Sequence, residues 1–441
     1  MINTVISLFR NKETRTKILF TLGILLIYRL GASIPVPGID SSKLVSGIGS
    51  DSMSLITMMN ILGAGSWQTF TIFSMGVGPY LTASMVMELL TMDIIPYLAE
   101  LKEQGQKGRQ QLDKITRYLA VVLSFLQAYT LTITFDQSYG ILISESKTIY
   151  LYIATILTAG TFFLIWLGDR IAAYGIGNGI SMIIFSGIVC NTPYQFANAW
   201  ATLVTAAEES ARFAGIVRFI LLAIMYIALI ILVIFVSEAT RKIPIQATSS
   251  SSRRGNQNFN YLPLKINSAS VMPVIFASTV MVAPKTILAL LSNFNFYKTT
   301  DFTRKLENIF DFISDFTKPG GLLLYVALIF FFTFFYTNLE VNPADITESL
   351  NKQGTFIPGV RPGIETQTHI AKVLNRITLL GALFLCFIAA LPYLLSMFTA
   401  IPASITMGGT SIIIMVGVAL ETVKDLENQL TQKEYRGFNK R

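Results

Sequence analysis

ITLLGALFLCFIAALPYLLSMFTAIPASITMGGTSIIIMVGVAL, from Ile377 to Leu420, is 44 residues without one charged side chain. At ~1.5 Å of rise per residue, a helix of that length crosses a ~30 Å hydrocarbon core twice. Leu391-Pro392, Ile401-Pro402 and Gly408-Gly409 supply turn signals that divide it. Outward from it, uncharged runs recur: 21 residues from Thr148 to Gly168, 19 from Phe219 to Ser237 and 21 from Pro319 to Leu339. None alternates polar with apolar residues as a barrel strand does. The 441 residues are 52% apolar and 14% charged, where a soluble domain carries about 25% charged residues. The sequence predicts an all-α polytopic membrane protein. A soluble enzyme, a secreted disulfide scaffold and a β-barrel are excluded.

Uncharged runs between charges mark ten candidate transmembrane helices, near 18–36, 70–92, 116–136, 148–168, 178–197, 216–237, 267–291, 319–340, 375–396 and 408–425. Asn191-Thr192-Pro193 is expected to close the fifth. An even number puts both termini on one side, and the positive-inside rule says which. The segments expected to be cytoplasmic are the N-terminal tail, the connections after even-numbered spans and the C-terminal tail. With the span ends that adjoin them they hold 24 of the 34 Lys and Arg against 16 of the 26 acidic residues, the whole net charge of +8. Three of these connections, at about 93–115, 238–266 and 341–374, are long, rich in Gly, Pro and Ser, and together basic, with 12 Lys and Arg against 8 acidic residues. They either set topology only or offer a docking surface to something large and negatively charged. Cys190 and Cys386 lie in apolar surroundings, and His369 has no second His or Cys near it, so no metal site or cofactor is expected. The N-terminal segment is expected to be a span and not a cleaved signal, because no small-residue cleavage site follows its polar head.

Ser52 to Met87 is 36 uncharged residues, too long for one span and too short for two with a loop. Its first half, MSLITMMNILGAGSWQTF, begins with the apolar residues Met53, Leu55, Ile56, Met59, Ile61 and Leu62, which Gly63, Gly65 and Ser66 interrupt. A short half-helix that re-enters the membrane must be shielded by protein or line a cavity, since its free backbone groups cannot face lipid. The alternative is an amphipathic loop on the surface. Of the few polar groups in the spans, Arg29 sits where a long stem can reach the interface and Glu88 sits near Asp93 at a span end. Neither forms a proton relay.

Several segments, in order, resemble one family over nearly the whole chain. They are RLGASIPVPGID (Arg29 to Asp40), GVGPYLTASMVMELL (Gly76 to Leu90) and WLGDRIAAYGIGNGISMIIFSGIV (Trp166 to Val189). LPLKIN (Leu262 to Asn267), MPVIFAS (Met272 to Ser278), FFYTNLEVNP (Phe334 to Pro343), FIPGVRPG (Phe356 to Gly363) and GGTSIII (Gly408 to Ile414) follow. The chain resembles the SecY family, pore subunits of the bacterial Sec protein translocon.

The resemblance implies ten transmembrane helices in two pseudo-symmetric halves of five, residues 1–200 and 201–426, around a central pore, with 427–441 a cytoplasmic tail. It implies that the re-entrant segment at 53–66 is a plug. Carried over by motif, the pore ring is Val77, Leu81, Ile180, Ile184, Ile275 and Ile414. Aliphatic side chains gate by dewetting and demand no specific hydrogen bond from a passing peptide; singly, each is also an ordinary packing residue. The lateral gate, where signal sequences enter and membrane helices leave, maps to Thr82, Gln127 and Asn267. Arg361, and less firmly placed Arg253 and Arg254 in the serine-rich ATSSSSRRGNQNFN (Ala247 to Asn260), match residues that bind cytoplasmic partners. The implied partners are the SecE and SecG subunits, the SecA ATPase, the ribosome, nascent polypeptides and the lipid bilayer, and the implied location is the bacterial plasma membrane.

The expected function is a passive protein-conducting channel. The chain has no P-loop, since GIGNGIS lacks the required spacing, and no nucleophile–base set within its spans. A small-solute transporter shares broken helices and basic loops but would be expected to carry an intramembrane relay. An intramembrane enzyme would need a convergent polar pair. An accessory copy of the channel, serving few substrates, would match the family motifs less well.

Overall fold

The computed structural model describes residues 12–40, 70–92, 94–142, 147–205, 212–247, 260–292, 319–398 and 409–438. Its helices are α1 (Lys12–Gly31), α2 (Gly78–Leu90), α3 (Pro96–Glu103), α4 (Gln106–Tyr139), α5 (Lys147–Tyr174) and α6 (Gly179–Trp200), which loosens into a π turn at Ala201–Thr205. They continue as α7 (Arg212–Glu238), α8 (Met272–Ser292), α9 (Pro319–Glu340), α10 (Pro343–Lys352), α11 (Ile364–Phe398) and α12 (Gly409–Phe438). Three strands, β1 (Thr240–Ala247), β2 (Asn260–Lys265) and β3 (Thr355–Phe356), form one antiparallel sheet in the order β2-β1-β3.

Each of the ten apolar stretches read from the sequence carries a helix. Five among the described residues are long and apolar enough to cross a bilayer by themselves: Gln106–Asp136, Thr148–Tyr174, Arg212–Glu238, Pro319–Lys352 and Ile364–Leu394. Their outer faces are greasy. Leu221, Ile224 and Phe235 on α7 and Leu19 and Leu26 on α1 are exposed, an apolar exterior that only lipid or another apolar surface satisfies.

The structure corrects three boundaries. The second stretch is helical only from Gly78; before it, Phe70 to Val77 runs as turns, with Phe70 in the left-handed region at φ 43°. Pro79 in the first turn fixes φ for the helix start without losing a needed donor. Pro193 does not end the fifth span. It lies inside α6, and the Thr192 hydroxyl donates to the Ile188 carbonyl at 2.8 Å. Pro392 likewise lies inside α11. A membrane helix tolerates such prolines because neighbouring groups re-satisfy the freed carbonyls.

The first five of the long elements pack largely among themselves: α2 on α4, α4 on α5, α5 on α6, and α1 on α5 and α6. The later ones do the same, with α8 on α9, α9 on α11, α11 on α12 and α7 on α12. The two groups meet where α8 touches α2 and α4, and where α6 touches α12. The described parts of the three long connections contain α3, the sheet and α10. Ile243, Leu264, Leu350, Ile357, Ile370 and Ile377 form one small apolar core that ties the sheet and α10 to the base of α11.

Candidate functional site

The largest apolar cluster gathers residues from both groups of helices. Within it lie Val77 at the N-cap of α2, Leu81 on α2, Ile184 on α6, Ile275 on α8 and Ile414 on α12, all buried, with half-buried Ile180 packed against it. The six aliphatic positions picked from sequence thus sit in one cluster, donated by four helices that are far apart in the chain.

Bordering this cluster is a cavity of about 580 Å³. Ile184, Ile275 and Ile414 of that cluster line it, together with the charged side chains Lys265, Glu340, Glu421, Lys424 and Asp425. Asn267 belongs to the wall. Its side chain is 8% exposed, and its Oδ1 has no hydrogen-bond partner in the structure. A buried amide oxygen left unpaired costs free energy until a donor arrives. Charged, polar and aliphatic side chains thus share one cavity wall, and the aliphatic ones belong to the largest apolar cluster.

The GIGNGIS segment builds one wall of this cavity. Asn178 caps α6, its Oδ1 accepting from the Ile180 and Ser181 amides at 3.1 and 3.5 Å. The Ile176 amide donates to Thr21 Oγ1 on α1 at 3.2 Å. Helices α5 and α6 come so close that a Cβ on Gly179 would collide with the Gly168 carbonyl oxygen. The glycines permit tight packing; they do not cradle a phosphate.

Of the positions read as a lateral gate, Thr82 lies on α2, Gln127 on α4 and Asn267 just before α8, and α8 touches both α2 and α4. The Thr82 hydroxyl donates within its own helix, to the Gly78 carbonyl at 3.1 Å. Gln127 is half-buried on α4. Asn267 faces the cavity just before α8. A contact not foreseen crosses close by: the Tyr336 hydroxyl of α9 donates to the Glu88 carboxylate of α2. Sequence reading placed Glu88 near Asp93, which lies outside the described residues, and did not single out Tyr336. Pairing across 248 residues leaves no local signal.

Similarity to known proteins bears on this arrangement directly. A sequence model of SecY matches residues 71–423. The protein translocase subunits SecY of Staphylococcus aureus and Bacillus subtilis are each 42% identical to the chain over 444 aligned positions, covering all of both chains. The chain belongs to the SecY family. Its fold is similar to that of a solved protein-conducting channel, with a TM-score of 0.63 at 16% identity over 94% of this chain and 92% of that one. It is also similar to Sec61 in the canine ribosome–channel complex from the endoplasmic reticulum, with a TM-score of 0.59, 16% identity and the same coverage.

Two sets of SecY-family positions fall elsewhere. Met53, Leu55, Ile56, Met59, Ile61, Leu62, Gly63 and Gly65, read as the plug, lie outside the described residues, as do Arg253 and Arg254. Arg361 is described and exposed. Its carbonyl accepts from Thr366 Oγ1 at 2.8 Å, and its loop is tied to the hairpin because β3 pairs with the end of β1, Gln246 opposite Phe356 and Ala247 opposite Thr355. The loop of Arg361 and the segment carrying Arg253 and Arg254 therefore leave from neighbouring strands of one sheet.

Proposed function

We infer that this chain is the central protein-conducting channel of a Sec-type translocon, passing unfolded polypeptides across the bacterial plasma membrane and releasing apolar helices sideways into the bilayer. The observation that carries this reading is the full-length 42% identity to protein translocase subunits SecY. The clustering of six aliphatic positions beside a charged cavity gives the identity a physical mechanism. Aliphatic side chains leave an ion no fixed charge to replace its water, yet they yield to a peptide of any sequence.

Ten helices in two groups of five, α1–α6 without α3 and α7–α12 without α10, form the clamp. Val77, Leu81, Ile180, Ile184, Ile275 and Ile414 form the constriction, and residues 53–66 form the plug beyond it. Thr82, Gln127 and Asn267 line the seam through which a signal sequence enters. Arg361, with Arg253 and Arg254, faces the cytoplasm and takes the driving partner, the ATPase SecA or the ribosome, while SecE and SecG brace the pore. The channel itself is passive, with both termini cytoplasmic.

Conductance in planar bilayers tests the reading. The purified wild-type chain is expected to be silent, and a variant lacking Met53 to Gly65 to open large flickering currents. Silence from both, together with exchange of a small solute across the bilayer, would identify a carrier instead.

A further inference from the structure

Helix α2 rests on α4 and α8, and α9 rests on α8 and α11, so α2 and α9 belong to different packed groups. A hydrogen bond bridges them directly. Tyr336 projects from α9 with its ring 5.0 Å from that of Phe276 on α8 and only 8% exposed, and its hydroxyl donates to the Glu88 carboxylate near the end of α2. The ring is thus fixed by packing while its polar tip reaches across the seam. Glu88 is half-buried, and Met85, one turn before it on α2, is buried in the same apolar cluster as Tyr336. In such surroundings a hydrogen bond to a carboxylate is strong, and a carboxylate deprived of its donor is costly.

We propose that the Tyr336–Glu88 hydrogen bond is a latch that sets how apolar an entering helix must be to part α2 from α9. This specificity role rests on the channel reading above. An apolar helix wedging into the seam buries its surface against both faces, but it offers the carboxylate no donor. Burial must therefore outweigh the lost bond, and helices with too little apolar surface leave the seam shut. Tyr336 and Glu340, one turn apart on α9, both line the cavity. The donor side of the latch therefore opens onto the cavity.

The test uses cells whose export depends on the full-length chain, and a reporter precursor whose signal sequence loses leucines stepwise. Tyr336→Phe keeps the ring against Phe276 and removes only the donor. Glu88→Leu removes the acceptor, and Glu88→Gln retains one. Cross-helix hydrogen bonds in membranes imply that Tyr336→Phe and Glu88→Leu each raise export of the weakened signals roughly 3- to 20-fold. Their double variant should add little to either, and Glu88→Gln should stay near wild type.

An unchanged threshold in Tyr336→Phe overturns the latch while leaving the channel intact, provided the strongest signal is still exported. Equal loosening by Glu88→Gln and Glu88→Leu overturns it too, because packing damage would then explain both. Failure of depletion of the chain to stop export of even the strongest signal removes the channel reading, and the latch with it.

Discussion

Asn178 shows how one side chain shapes the cavity. The first amides of a helix have no partner within it, and the Asn178 carboxamide oxygen takes those of Ile180 and Ser181. It thereby fixes where α6 starts, and Ile180 and Ile184 follow within two turns. Asn178→Ala should lower stability by about 1 kcal/mol, and Asn178→Asp should leave it nearly unchanged, since aspartate caps as well. Thermal unfolding of the detergent-solubilised protein checks both. Equal losses in the two variants would mean that the amide nitrogen, not the cap, matters. The aliphatic residues behave differently. Nothing in Ile275 or Ile414 taken singly distinguishes a pore lining from a core, because both are apolar side chains inside a helix. Only their position in MPVIFAS and GGTSIII singled them out, and only the fold placed them in one cluster.

At the scale of elements, uncharged length was legible and interruption only in part: Gly408-Gly409 does mark the start of α12. Every stretch that the charges bounded became a helix, since a membrane forces backbone groups to pair within the segment. Pro193 and Pro392 read as breaks because an isolated helix loses a hydrogen bond there, yet packed neighbours carry both α6 and α11 through. The connections misled in the opposite sense. Gly, Pro and Ser suggested loops, but Ile243, Leu264, Leu350 and Ile357 gave them a core of their own. That core presents Arg361 on a loop held between β3 and α11. Gly359 at φ +84° and Gly363 at φ +108° bracket it, backbone that a residue with a Cβ adopts only under strain of about 1–3 kcal/mol. Replacing both with alanine should displace Arg361 and cut partner-driven transport severalfold, while the currents of a plug-deleted channel stay unchanged. Measuring both in one set of vesicles separates docking from conduction. Parallel loss of both would mean that the loop supports the pore.

At the scale of the whole molecule, the number of crossings decides how the chain sits in the membrane. Five described helices are long and apolar enough to cross alone. The others, among them 13-residue α2, would have to cross in company. Pairing favours the larger number. Helix α2 contributes Val77 and Leu81 to the same cluster as α8 and α12, so it must lie at their depth. Parity makes the alternatives distinguishable: ten crossings leave the two termini on one side, and five leave them on opposite sides. The charge pattern then says which side, because the basic excess gathers at the sheet and the tails. In a background with Cys190 and Cys386 replaced by serine, single cysteines at Lys242 and Arg361 should react with an impermeant maleimide only in inverted vesicles. A cysteine at Arg212, at the start of α7, should react only in intact cells. Tags on the two termini should be digested together with the Lys242 and Arg361 face. Tags found on opposite faces would remove the ten-helix clamp, and with it the reason for α2 and α9 to part.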